Sequence, residues 1–174
     1  MAYKMKKKNI ALIGYMGTGK TTIGKRLARR LGLSFVDTDA YIEKQQGKSI
    51  SRIFEQEGEP AFRRMEESVL AALAEEENLL ISTGGGIVLS EQNRKLLKER
   101  TFLVTLTASP GAIYSRVRGN TDRPLLQEAD PYQKIVDMLE ARKPYYEIGD
   151  IIIPTDELSE KICIERIVEA YQKS

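Results

Sequence analysis

The chain has 174 residues, with 27 lysines and arginines against 25 aspartates and glutamates, and no histidine. A formal net charge of +2 gives no bulk attraction to a polyanion, so nucleic acid is not an expected partner. Without histidine, catalysis has to rest on carboxylates, lysine, arginine and an oxygen-bound metal, and the single cysteine, Cys163, excludes an intrachain disulfide and suits a reducing cytoplasm.

The length suits one domain carrying an inserted flap. Lys4 and Lys6 to Lys8 form a basic start, read as a solvated tail. No apolar run reaches membrane-spanning length, and neither a membrane nor a secretion signal is expected. The first predicted element is a strand near 9–14, in KNIALIG. It runs into GYMGTGKTT, in which Gly14, four residues, and then Gly19-Lys20-Thr21 have the spacing of a phosphate-binding loop. Gly14, Gly17, Thr18 and Gly19 let the chain curl so that backbone N–H groups face phosphate oxygens, and Thr22 opens the following helix, whose dipole adds positive potential. Lys20 is placed to reach the β- and γ-phosphates of ATP, and the Thr21 hydroxyl to ligate Mg²⁺. The helix is predicted over 20–31, with Ile23, Leu27 and Leu31 on one face.

A second strand, 34–37, ends in Asp37-Thr38-Asp39. Helices over 39–46, 50–57 and 60–76 make a long excursion before a third strand, 79–83. That strand ends in Ser82-Thr83 without an acid and runs into Gly84-Gly85-Gly86. A helix over 91–98, capped by Ser90, precedes a strand at 101–107 and a helix at 110–118. The polar stretch RGNTDRPLLQEAD, 118–130, interrupts the pattern. A helix over 131–143, begun by Asp130-Pro131, a strand at 150–153 and a helix at 159–172 complete the chain. On the last helix, Cys163 is read as packing on one apolar face with Ile162 and Ile167.

Alternation of apolar strands with helices implies an α/β fold with a parallel sheet, whose ligands sit beyond the carboxyl ends of the strands. Asp37 is the acid best placed to hold Mg²⁺ through bound water. If the chain is still extended at Asp39, that carboxylate projects to the same side and orients or deprotonates an acceptor hydroxyl. The alternative for either aspartate is a helix cap. Three consecutive glycines fit a backbone approached closely by a ligand rich in oxygens, the alternative being a plain turn. Arg63, Arg123 and Arg142 are the arginines singled out. Arg123 lies in a loop able to swing onto a transferring phosphoryl group. Two acceptor-side guanidiniums make a fork for a carboxylate, so the acceptor reads as a hydroxy acid.

These motifs resemble the shikimate kinase family: GYMGTGKTT, FVDTD, AFRRMEE, STGGG, NTDRPLL and EARKPYY occur in the family's order through most of the chain. The resemblance implies a P-loop fold akin to nucleoside monophosphate kinases, a three-layer α/β/α sandwich with strand order 2-3-1-4-5. It implies transfer of the ATP γ-phosphoryl to the 3-hydroxyl of shikimate, in aromatic amino-acid biosynthesis. By motif, Lys20 and Thr21 serve ATP and Mg²⁺, and Asp37 helps hold the metal. Asp39, Arg63, Gly85, Gly86 and Arg142 contact shikimate, and Glu66 steadies Arg63. Arg123 is the lid residue and Arg116 an adenine-side contact. The resemblance also implies one domain, with a shikimate-binding insertion over about 38–76 and a lid over about 116–130. The family's late adenine loop maps to Ile153-Pro154-Thr155-Asp156, which lacks an arginine.

The rival readings are another small-molecule kinase of this fold, for gluconate or a nucleoside monophosphate, and a nucleotide-hydrolysing switch; a guanine-reading NKxD sequence is absent. A cytoplasmic monomer is expected.

Overall fold

In the computed structural model, the described residues are 6–119 and 129–174. Five strands, β1 (Asn9–Ile13), β2 (Ser34–Asp37), β3 (Leu79–Ser82), β4 (Thr101–Thr107) and β5 (Ile151–Pro154), form one parallel sheet in the order β2-β3-β1-β4-β5. The eight described α-helices are α1 (Lys20–Leu31), α2 (Thr38–Gln46), α3 (Ile50–Glu57), α4 (Glu59–Ala74), α5 (Glu91–Arg100), α6 (Pro110–Val117), α7 (Pro131–Tyr146) and α8 (Glu160–Gln172).

The central position of β1 follows from its composition. NIALI is buried along its whole length, as a parallel strand covered on both faces must be. Its alternate residues feed two cores. Ile10 and Leu12 pack with Ile23 and Leu27 of α1 and Cys163 and Ile167 of α8. Ala11 and Ile13 pack with Ile42, Phe62, Leu70, Ile113 and Ile135 from the helices on the other side. A sheet with apolar layers on both faces is a three-layer α/β/α sandwich, as expected from the sequence.

Two boundaries and one packing face near the site and on α8 differ instructively from the sequence expectation. Helix α2 begins at Thr38, so Asp39 lies in its first turn and not in extended chain. The reason is local: the Asp37 side chain accepts the Ala40 N–H at 3.0 Å and caps the helix one residue after the strand. Helix α7 does not stop at 143 but continues through Pro144 to Tyr146. Proline removes one helical donor, yet tertiary contacts hold the last turn: Thr105 Oγ1 donates to the Tyr146 carbonyl at 2.5 Å and Tyr146 Oη donates to the Gly85 carbonyl at 2.5 Å. On α8, Ile162 is 42% exposed while Cys163 and Ile167 are buried, so Ile162 does not share their face. The centre of the expected lid, residues 120–128 with Arg123, lies outside the described residues.

The turn from α7 to β5 is fixed by close approach at Gly149. A Cβ there would lie 2.6 Å from Thr105 Oγ1 and 2.8 Å from both the Thr105 nitrogen and the Ile151 carbonyl oxygen. Two of these neighbours are backbone and cannot rotate away. Gly149→Ala is therefore expected to destabilise the protein by about 1–3 kcal/mol, read as a lowered midpoint in urea and in thermal melts.

Candidate active site

The site is assembled at the carboxyl ends of β1, β2 and β3. After β1 the chain turns at Gly14 and reaches α1 through Gly17 and Gly19, whose φ values of 76° and 99° lie in the left-handed region that side chains disfavour. A side chain at Gly14 would strike the Leu106 carbonyl oxygen. Thr18 Oγ1 donates to the Tyr15 carbonyl at 2.7 Å, tightening the loop. Lys20 Nζ reaches back over it to the carbonyls of Gly14 and Tyr15, at 2.7 and 2.9 Å. Thr21 and Thr22 are exposed at the N-terminus of α1, where backbone donors and the helix dipole favour an anion.

A cavity of about 410 Å³ opens beside this loop, lined by Gly17, Thr18, Thr22, Arg116, Thr155 and Cys163 among others. Arg116 Nη1 donates to the Gly17 carbonyl at 2.9 Å and to Thr155 Oγ1 at 3.0 Å, and Nη2 donates to the Thr155 carbonyl at 3.2 Å. Thr155 Oγ1 in turn donates to the Thr18 carbonyl at 2.7 Å. The arginine missing from 153–156 is thus supplied by α6, and the guanidinium forms one wall of a slot that opens onto the phosphate loop.

Across the strand ends lies a second group of charges. Asp39 Oδ1 is buried without a hydrogen-bond partner among the described residues. Burial, reinforced by the neighbouring Asp37 carboxylate and opposed by Lys20, pushes the Asp39 carboxyl up to about 6. Arg63 Nη1 donates to Glu66 Oε1 at 2.5 Å, and its Nη2 to Glu59 Oε1 at 3.1 Å. The Glu66 side chain is only 1% exposed. Burial holds its carboxyl up at about 7 in spite of the Arg63 guanidinium. Arg142, on α7, is half-buried, with its guanidinium 5.9 Å from the Tyr15 ring centre. Both arginines act electrostatically on Glu66 and on Tyr146, so the two guanidiniums lie near the same buried groups.

The three glycines after β3 explain how these groups fit together, and the close approach turns out to be internal. A Cβ at Gly84 would lie 2.6 Å from Asp39 Oδ1, and one at Gly86 would overlap the Arg63 guanidinium. The Gly84 N–H is held by Thr38 Oγ1 at 3.0 Å. A bound ligand is not required to account for Gly84 or Gly86. Gly85 faces the phosphate loop, with the Met16 nitrogen 3.5 Å from where its Cβ would be.

Gly14, Gly17, Thr18, Gly19, Lys20, Thr21 and Thr22 thus form the loop and helix start after β1, with Arg116 bonded to Gly17, while Asp39, Arg63, Gly85, Gly86 and Arg142 gather across the strand ends, where Asp37, at the end of β2, acts on Asp39. Arg123 lies outside the described residues. Thr38, Thr155 and Tyr146 were not singled out from the sequence. Tyr146 follows Arg142 by four positions, the spacing of helical neighbours, but that signal is lost once the helix is ended at Pro144. No group of three or more aspartate, glutamate or cysteine side chains among the described residues forms a metal site by itself. A hydroxyl, Thr21, and a carboxylate, Asp37, supplemented by phosphate oxygens, are an all-oxygen set that fits a hard cation.

A strand-terminated glycine loop with its lysine, joined to a carboxylate and two arginines on the facing side, defines a P-loop kinase for a small anionic acceptor. The shikimate kinase family model matches residues 16–172. A shikimate kinase of Thermodesulfovibrio yellowstonii is 43% identical over 166 residues, covering 95% of this chain and 96% of the relative. One from Pelotomaculum thermopropionicum is 45% identical, over 92% and 94%. Among solved structures, the shikimate kinase of Acinetobacter baumannii in complex with shikimate superposes with a TM-score of 0.90 at 38% identity, covering 95% of this chain and 93% of that one. A gluconokinase from Sinorhizobium meliloti, at 16% identity and a TM-score of 0.63, shares the fold. The chain belongs to the shikimate kinase family, and is an ATP-dependent phosphotransferase acting on an alcohol.

The electrostatics of Asp39 give a stability test. The native carboxyl keeps its proton to about pH 6 and the unfolded one only to 3.8, so the native state binds more protons in between. Stability falls as pH rises through that window, and the ionised group is a burden above it. In metal-free buffer at pH 7, Asp39→Asn is expected to be more stable than the parent by about 1–3 kcal/mol, with the difference vanishing below pH 4 in urea titrations.

Proposed function

We propose that the protein transfers the γ-phosphoryl group of ATP to the 3-hydroxyl of shikimate, giving shikimate 3-phosphate and ADP on the route to the aromatic amino acids. The observation that carries this is a buried Asp39 carboxylate oxygen without a hydrogen-bond partner among the described residues, near Arg63, with Arg63 and Arg142 both acting on the neighbouring Glu66. A carboxylate-bearing alcohol is recognised by such a pair, with the guanidiniums taking its carboxylate and Asp39 its hydroxyls.

Lys20 exchanges its two backbone carbonyl partners for β- and γ-phosphate oxygens, and the loop amides hold the rest of the triphosphate. The cavity lined by Arg116 and Thr155 takes the adenine. Thr21 and Asp37 would hold Mg²⁺ with the nucleotide, where it would supply charge neutralisation for the phosphates. Asp39 accepts the hydrogen bond of the 3-hydroxyl and fixes the direction of attack. Because phosphoryl transfer has a loose transition state, orientation matters more than early deprotonation. Arg123 is assigned to the lid role by the NTDRPLL motif, and the chain is assigned one domain with its acceptor-side insertion over 38–76 and lid over 116–130. A cytoplasmic monomer is supported by the buried free Cys163 and by the scatter of exposed large apolar residues, Phe54, Leu89, Tyr132, Ile152 and Ile162, over five separate elements.

ADP release with ATP and Mg²⁺ is expected to be stimulated strongly by shikimate and not by quinate, gluconate or AMP, relative to an acceptor-free control. Stimulation by another member of that panel would overturn the acceptor, and acceptor-independent hydrolysis would overturn the transferase reading. Asp39→Asn is expected to lower kcat by about 100-fold or more while retaining nucleotide binding. Arg116→Ala is expected to raise the KM for ATP about tenfold, leaving that for shikimate within twofold; equal effects on both would remove Arg116 from the adenine site.

A further inference from the structure

Tyr146 stands at the junction of the two halves of the site. It is buried, at the last position of α7, and held there through its main chain, whose carbonyl oxygen accepts from Thr105 Oγ1 at 2.5 Å. Its hydroxyl carries one hydrogen, which is donated to the Gly85 carbonyl at 2.5 Å. The phenol oxygen is then left only as an acceptor, and Arg142 Nη1 stands 3.5 Å from it. Burial pushes the Tyr146 hydroxyl further above its ordinary range, so the proton stays on the phenol throughout the neutral range and the sense of the chain does not reverse.

Gly85 faces the phosphate loop, and Arg142 lies over the ring of Tyr15 within that loop. The Tyr15 hydroxyl donates to Met138 Sδ at 3.4 Å, back on α7. The guanidinium is thus bracketed by the Tyr15 ring and by the Tyr146 oxygen, both rigid. We infer that Tyr146 is a positioning residue for the acceptor carboxylate: its hydroxyl aims the Arg142 guanidinium and registers it against the Gly85 carbonyl and the phosphate loop. Resting on the shikimate kinase reading, this extends the acceptor site to a residue that acts through Arg142.

An arginine on a half-exposed helix face samples many rotamers, and each immobilised one loses affinity when its fastening is removed. Tyr146→Phe deletes the fastening and keeps the ring that fills the core. The discriminating probe is a pair of acceptors, shikimate and its uncharged methyl ester, because only the first uses the arginine's charge. In the parent protein shikimate should be phosphorylated with a much lower KM than the ester. In Tyr146→Phe the KM for shikimate is expected to rise about tenfold, while the KM for the ester, the KM for ATP and kcat stay within twofold. In an Arg142→Ala background, Tyr146→Phe should add less than twofold.

Melting curves of each variant are taken alongside. Should Tyr146→Phe not fold, Thr105→Val, which frees the Tyr146 main chain, is expected to narrow the shikimate-to-ester preference in the same direction. An unchanged preference in the folded variant, equal losses for acid and ester, or full additivity with Arg142→Ala would overturn the positioning role. Failure of the parent protein to phosphorylate shikimate would instead overturn the reading of its function.

Discussion

The acceptor side depends on the absence of three side chains. Gly84, Gly85 and Gly86 follow β3 and form a bare ribbon on which Asp39 and Arg63 rest from one side and the phosphate loop from the other. A Cβ at the first position displaces a carboxylate, and one at the third displaces a guanidinium. Opposite charges and a phosphate-binding loop can share so small a volume because the chain between them offers only backbone. The same ribbon uses its polar groups for registration: the Gly84 N–H is held by Thr38 and the Gly85 carbonyl by Tyr146. The ribbon ties the start of α2 and the end of α7 to one strand end.

The site therefore tolerates unfavourable electrostatics. Asp39 and Glu66 are acids whose protons are held by burial to about 6 and about 7. Such groups are destabilising for the fold and useful for recognition, since a carboxylate already stripped of water and short of partners gains from an incoming hydroxyl. Arg63 answers this by bonding to both Glu66 and Glu59, which stiffens it before a ligand arrives. The arrangement illustrates the trade between stability and activity seen where function needs a poised, under-satisfied group.

Most of the fold was legible in the sequence because strand and helix periods were strong. NIALI, a short apolar run ahead of a glycine loop, read as a strand, and the glycine spacing of residues 14–19 could serve few purposes. The candidate acceptor-side residues were named from the sequence, but their geometry was not readable there. Asp39 was expected at the start of a helix over 39–46, with its role conditional on the chain still being extended there, whereas the Asp37 cap starts the helix a residue earlier; strand and cap compete for the same aspartate, and composition does not say which wins. Pro144 was a reasonable stop signal that two tertiary hydrogen bonds overrode. The loss of Tyr146 followed directly, for a helix ended at 143 has no face on which Arg142 and Tyr146 meet. Arg116 carries another lesson: its partner Thr155 is 39 residues away, a pairing set by adjacency of α6 and the end of β5 and not by local pattern.

The lysine of the phosphate loop gives the nucleotide half a particular thermodynamic character. Lys20 grips the carbonyls of Gly14 and Tyr15, so the loop closes around its own cation. An incoming ligand has to offer Lys20 more than two neutral carbonyls do, and this sets a threshold that falls unequally on different anions. The carbonyls of the loop are thus competitors for the lysine, and a ligand that meets the loop at several points offsets their loss more readily than one that meets it at a single point.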